Sequence, residues 1–307
     1  MTRMRCRWLA LTLAGSMLHL PCDAAILVLK RAFVEKYKNR VAIDVDFFLD
    51  KALARPHPPK EDGDNHMAGR AEQVGLAVMA EIMNAGLPAQ KPVIEVVKKT
   101  TNAAPVKMTG VWRLWFEHPG GADERHVQGA PVAPLTSTAA DHLFEVHPVL
   151  SFAGIPVLGS VDRVVGFDAH NAEKAFAHYE SRQATIRSNA DSITIESGRS
   201  VFNYVQFTLE LAGTPKKATG GGFFVLAEVV GAEGGKLTSG LRRMVLAEGT
   251  PPAKAIGAMK KGDIVRVLGT PRINLERVAF EVQRRPGRQF TLTQLPYEII
   301  VVGVIPE

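Results

Sequence analysis

The stretch Val106-Lys107-Met108-Thr109-Gly110-Val111-Trp112-Arg113-Leu114 has a later echo in Val265-Arg266-Val267-Leu268-Gly269-Thr270-Pro271-Arg272-Ile273. Each opens on a β-branched residue and a basic one, carries a central glycine, and places an arginine three residues after it. A glycine inside a strand marks a sharp bend or a close backbone approach, and a coiled or closed sheet needs both. A second echo sets Leu143-Phe144-Glu145-Val146 against Pro296-Tyr297-Glu298-Ile299. Together they imply two related halves; the alternative is chance likeness between strands, which draw on few residue types.

Working outward, short runs rich in Val, Ile, Phe and Thr recur between turn residues. In the first half they are 41–49, 76–83, 93–97, 106–116 and 143–152; in the second, 184–196, 202–211, 222–230, 241–247, 263–268, 278–283 and 297–304. All are read as strands, and their spacing predicts a mainly β protein of antiparallel barrels, not a doubly wound α/β sheet. One short connecting helix is expected over 171–182, where Asn171 can cap the first turn and Ala175, Phe176 and Tyr179 share a face. The Gly- and Pro-containing stretch 154–166 precedes it, so the division is drawn near residue 165, giving units 25–165 and 166–307.

The chain opens with Arg3, Arg5 and Arg7, an apolar run from Trp8 to Leu18, and Cys22-Asp23-Ala24, the order of a secretory signal over residues 1–24. That run is too short to span a bilayer, so no integral span is expected once it is removed, and the protein is expected to be periplasmic or secreted. Cleavage after Ala24 also removes both cysteines, Cys6 and Cys22, so disulfide and thiolate chemistry drop out. With 46% hydrophobic and 22% charged residues the remainder can build a sizeable core. The formal charge of +6 is spread thinly, and basic pairs such as Lys98-Lys99 do not mark a phosphate-tracking surface.

Lys261-Gly262-Asp263-Ile264-Val265-Arg266-Val267-Leu268-Gly269 resembles the entry to the fourth strand of many OB barrels. Two OB-like barrels are therefore expected. The first half, through Asp62-Gly63-Asp64-Asn65-His66, Thr109-Gly110-Val111-Trp112 and Glu145-Val146-His147-Pro148-Val149, is similar to a set of uncharacterised secreted bacterial proteins, which implies a fold and no activity.

Six of the nine histidines fall between positions 57 and 147: His57, His66, His118, His126, His142 and His147. Residues two apart on a strand point the same way, so Asp62, Asp64 and His66 would project together, as would Glu145 and His147. These five are the candidate metal ligands, since carboxylate and imidazole donors suit Zn²⁺, Mn²⁺ or Fe²⁺. Glu117 and His118 could add a ligand or a general base. Asp-Gly-Asp is equally a turn sequence, because Asp bonds back to its own backbone and Gly takes positive φ. His142 and His147 would then be satisfied polar residues on a half-exposed strand with Pro148 at an edge.

Asp62 and Asp64 also resemble the metal-side acids of the secreted thermonuclease family, an OB barrel with Asp-Gly-Asp on an early strand, which makes Arg70 the counterpart of its phosphate-clamping arginine. The acid that should follow before Ala-Pro-Glu is absent, and Ala71-Glu72-Gln73-Val74-Gly75 stands there instead. Arg113 could counter substrate charge, and Trp112 or Trp115 could stack a base or sugar. The glycines at 220–222 lack the Lys-Ser/Thr of a phosphate loop, and no Gly-x-Ser-x-Gly elbow occurs. The expected role is an exported tandem-barrel binding protein, holding a divalent metal and offering a groove to an oligonucleotide, an oligosaccharide or an envelope protein. A metal-dependent phosphodiesterase and a non-catalytic envelope scaffold are the alternatives.

Overall fold

The computed structural model describes residues 24–306. The signal expectation falls outside these residues, except that Ala24 opens the first strand.

The first barrel consists of β2 (Ala42–Ala52), β3 (Asn65–Arg70), β4 (Ala77–Ile82), β5 (Val106–His118) and β7 (His142–Phe152). β2 pairs with β3 and β5, β3 with β4, and β5 with β7, all antiparallel; a parallel pairing of β4 with β7 closes the ring. The second barrel repeats this with β11 (Val205–Leu211), β13 (Gly222–Val230), β14 (Arg242–Ala247), β15 (Ile264–Ile273) and β17 (Tyr297–Val304). Here too the first strand pairs with the second and fourth, and the third runs parallel to the fifth. Short strands β8 (Ile155–Pro156) and β12 (Lys216–Ala218) extend hairpins. The protein is thus mainly β, built as two OB-like barrels.

A third sheet draws on both halves, in the order β16 (Phe290–Leu292), β9 (Ala184–Ser188), β10 (Ser192–Gly198), β1 (Ala24–Lys30) and β6 (Arg125–Val127). Of the helices, α1 (Arg31–Tyr37) follows β1, and α3 (Ala172–Ser181) is the expected connecting helix, capped by Asn171 Oδ1 accepting from the Lys174 N–H at 2.9 Å. α2 (Lys91–Lys99) and α4 (Pro251–Gly257) occupy equivalent places, each joining the third strand of a barrel to the fourth. α5 (Leu275–Arg284), followed by β16, lies between β15 and β17.

Two expected strands are helices. The run 93–97 lies in α2, where a proline in the first turn and Lys98 and Lys99 in the last suit a helix, and Val93, Ile94 and Val97 form its buried face. The run 278–283 lies in α5, capped by Asn274, with Leu275, Val278 and Val282 buried at helical spacing. In both, end signals and period outweigh β-branched composition.

Both echoes are structural. Arg113 stands opposite Glu145 across β5 and β7, and Arg272 opposite Glu298 across β15 and β17. Each glycine sits at an irregularity of its ladder. A Cβ on Gly110 would lie 2.2 Å from Val146, and one on Gly269 would lie 2.6 Å from Ile299, the residues that follow the paired glutamates. The barrels meet through outward-facing apolar residues, among them Val111 and Leu150 of the first and Val245, Leu268 and Ile300 of the second. The arginines cross this boundary reciprocally. Arg113 Nε donates to the carbonyl of Pro271, and Arg272 Nη1 to that of Trp112, each the residue before the other arginine.

Candidate metal centre

β3, β4 and β7 lie side by side in the first ring. Alternation sends Met67, Val78, Ala80, Ile82, Phe144 and Val146 into the core, which turns His66, Glu81, Glu145 and His147 to the outer face. This outer face is covered. The segment leading into β11 sets the Tyr204 hydroxyl against it, so Tyr204 donates to Asp64 Oδ2 at 2.6 Å and accepts from His147 Nε2 at 2.7 Å. Phe202 and Tyr204 both take positive φ, 72° and 46°, so the phenol is delivered by strained backbone.

Asp64 arrives from the turn before β3. Asp62 Oδ1 accepts the Asp64 N–H at 2.9 Å, and Gly63 takes φ +74°, a conformation that a side chain would strain. The turn reading and the site reading of Asp-Gly-Asp are therefore both met, the turn being the device that aims Asp64 inward.

The inner group is Asp64, Glu81 and His147. Asp64 and His147 are completely buried and Glu81 is 6% exposed. His147 Nδ1 lies 2.9 Å from Glu81 Oε2, His147 Nε2 lies 3.7 Å from Asp64 Oδ2, and one donor atom from each residue falls within 4.8 Å of the others. Asp64 Oδ1 is buried with no hydrogen-bond partner among the described residues. A buried carboxylate oxygen left bare costs about 1–3 kcal/mol or more, so it is a place where a cation fits. This buried His/Asp/Glu group could hold a metal ion.

The outer group is His57, Asp62 and His66, with side chains 30%, 24% and 20% exposed. His57 Nδ1 lies 3.0 Å from Asp62 Oδ1, and His66 Nε2 lies 3.6 Å from Asp62 Oδ2. His66 and Glu81 are register partners on β3 and β4, with Nε2 3.8 Å from Oε1. Glu81 therefore turns one carboxylate oxygen to each group.

These charges move one another's titration. Burial pushes Asp64 up to about 8, helped by Glu81 and Asp62 and resisted by His147. Burial alone would lower both histidines, but Glu81 with Asp62 and Asp64 raises His66 to about 9, and Glu81 with Glu145 and Asp64 raises His147 well above its ordinary value. Burial would raise Asp62, yet the neighbouring His66 imidazole, the Asp64 N–H and the His57 imidazole lower it to about 2. Without an ion, protons held on Asp64, His66 and His147 balance the carboxylates.

Of the expected ligands, Asp64 and His147 fall in the inner group, and Asp62 and His66 in the outer one. Glu145 lies 3.4 Å from His147 Nδ1, but its carboxylate is engaged by Arg113 Nη1 at 2.5 Å and approached by His142 at 3.3 Å. Arg113 is completely buried, bonded also to Glu117, and so is not free for a substrate. Neither tryptophan offers a stacking face: Trp112 is covered by the Arg272 guanidinium, 3.6 Å from its ring centroid, and Trp115 packs against Tyr179 and Tyr297. Arg70 stands at the far end of β3 from His66, paired bidentately with Asp50. The strand β7 is flanked by β5 and β4, so Pro148 is not at an edge but where the β5 ladder shifts register. His118 and His142 stack on each other at 5.1 Å, at the start of β7.

Sequence reasoning missed Glu81 and His57 as candidate ligands, and Tyr204. Glu81 had a signal, a lone acid in the apolar run 76–83. Tyr204 had none, because only the tertiary fold brings it to Asp64. No protein-family model matches the chain, and no curated protein matches it.

Proposed function

We propose that the protein is an exported binding protein whose first barrel holds one divalent cation, Zn²⁺, Mn²⁺ or Fe²⁺, between Asp64, Glu81 and His147. The observation that carries this is the bare, buried Asp64 Oδ1 beside a second carboxylate and an imidazole. Export is supported by the arginines and apolar run before Ala24. The chemistry is balanced: a dication with two carboxylates and a neutral imidazole is neutral, as is the same group holding one proton on Asp64 and a second on the imidazole of His147. Metal uptake near pH 7 thus releases about two protons, one from Asp64 and one from His147.

Burial favours holding the ion over using it. An ion acting as a Lewis acid keeps an open position for water or substrate, whereas closed sites are structural. Bound there, the ion ties the turn before β3 to β4 and β7 beneath Tyr204, fixing the segment that enters the second barrel. A partner of the oligonucleotide or oligosaccharide class finds no support in Trp112, Trp115, Arg113 or Arg70, which are all engaged within the fold.

The test is metal analysis of the purified mature chain, with melting before and after chelation. At a free metal concentration a hundredfold above Kd, binding stabilises the fold by about 2.7 kcal/mol. The expected result is one tightly held ion and a melting temperature that falls on chelation in the wild type but not in Asp64→Asn. No retained metal and unchanged melting after chelation and after metal addition would reject the reading.

A further inference from the structure

We propose that His57, Asp62 and His66 hold a second, solvent-facing divalent cation, bridged to the first by Glu81, so that the site is a two-metal centre. The inference rests on the proposed inner site and extends it.

Three observations carry it. The donor spacing fits a metal: with bonds of about 2.0–2.1 Å, the ligands of a tetrahedral ion stand roughly 3.3 Å apart, and His57, Asp62 and His66 present donor atoms 3.0 and 3.6 Å apart around the shared aspartate. The His66 Nε2 atom is buried without a hydrogen-bond partner among the described residues, although carboxylate oxygens lie just beyond bonding distance on two sides. And Glu81 is divided, with Oε2 on His147 and Oε1 toward His66, the arrangement of a carboxylate shared by two ions about 3.5–4 Å apart.

The two positions differ in what they can do. The inner one is closed by Tyr204 and the barrel wall. The outer one is partly exposed on all three of its own ligands, which leaves room for a water or an oxyanion oxygen as a further ligand. Asp62 also couples them through the backbone, since the oxygen that accepts the Asp64 N–H belongs to a carboxylate of the outer set.

The test uses full-length mature protein stripped by chelator and titrated with Mn²⁺, read by calorimetry for stoichiometry and by electron paramagnetic resonance for coupling between ions. The wild type is expected to take up two ions and to show a spin-coupled pair. His57→Gln, at a partly exposed loop position before β3, is expected to keep one ion and lose the coupled signal. Asp62→Asn should do the same. One ion in the wild type, unchanged in both variants and lost in Asp64→Asn, would overturn the second site and leave the first standing. No Mn²⁺ uptake by the wild type would overturn both.

Discussion

The two barrels share a plan and a buried ion pair, yet among the described residues only the first carries a candidate metal site. Arg113 with Glu145 and Arg272 with Glu298 occupy the same places in their rings, each pair lying at the boundary between barrels. Following that register, Ala80 pairs with Val146 as Met244 pairs with Ile299, so Glu81 corresponds to Val245 and His147 to Ile300. Val245 and Ile300 are buried in the apolar cluster between barrels. The fold is therefore content with aliphatic side chains at both positions. The polar group in the first barrel answers a need that the architecture does not impose, whereas the arginine–glutamate pairs recur because the boundary uses them.

The largest way to break this comparison is to cut a shared pair. Glu298→Ala leaves Arg272 buried without its carboxylate, and the expected loss is about 3–5 kcal/mol in urea denaturation; Glu145→Ala should cost somewhat less, because Arg113 keeps Glu117. If either costs under ~1 kcal/mol, the pairs are not structural. A smaller effect of opposite sign is expected when the first barrel is made like the second. Asp64→Asn, Glu81→Val and His147→Ile together should leave the metal-free protein as stable as before or up to about 4 kcal/mol more stable, and abolish its response to metal. A folded triple variant that still gains stability from metal would place the ion elsewhere.

The pH response sharpens the comparison further. Asp64, at about 8 against an ordinary 3.8, and His66, at about 9 against 6.5, hold protons more tightly when folded. Their stabilisation is complete below the ordinary values and is lost as pH climbs through 8 and 9, so the metal-free protein should melt lower at pH 9 than at pH 6. Asp62 works oppositely, contributing above 3.8 and losing that as pH falls through about 2. Bound cation replaces the protons and should flatten the alkaline decline. A metal-free melting temperature that is level from pH 6 to 9 would count against the protonated cluster. The smallest effect is a control on the connecting helix. Asn171→Ala removes its cap and should cost about 1 kcal/mol while leaving metal uptake unchanged.

The barrel strands were legible because their signals are local: alternation, turn residues, and a glycine three places before an arginine. The runs 93–97 and 278–283 carry β-branched residues that mask their helical signals, the capping Asn274 and the lysines that close α2. In the site, Asp64 and His147 were legible from chemistry and two-residue spacing. Glu145 has the same spacing, but its charge is spent on Arg113, a partner one strand away. Burial of Trp112 and Trp115 follows from the second barrel lying against the first, and of Tyr204 from a loop between sheets. Neither is written in any short stretch of chain.

The central claim is tested most directly by anomalous diffraction from crystals of the full mature protein grown with Zn²⁺. The account predicts a peak bounded by Asp64, Glu81 and His147, with Zn–O and Zn–N distances of about 2.0–2.2 Å, and no peak at Val245 and Ile300. Well-ordered crystals in which those three side chains keep their contacts around no anomalous density would contradict it.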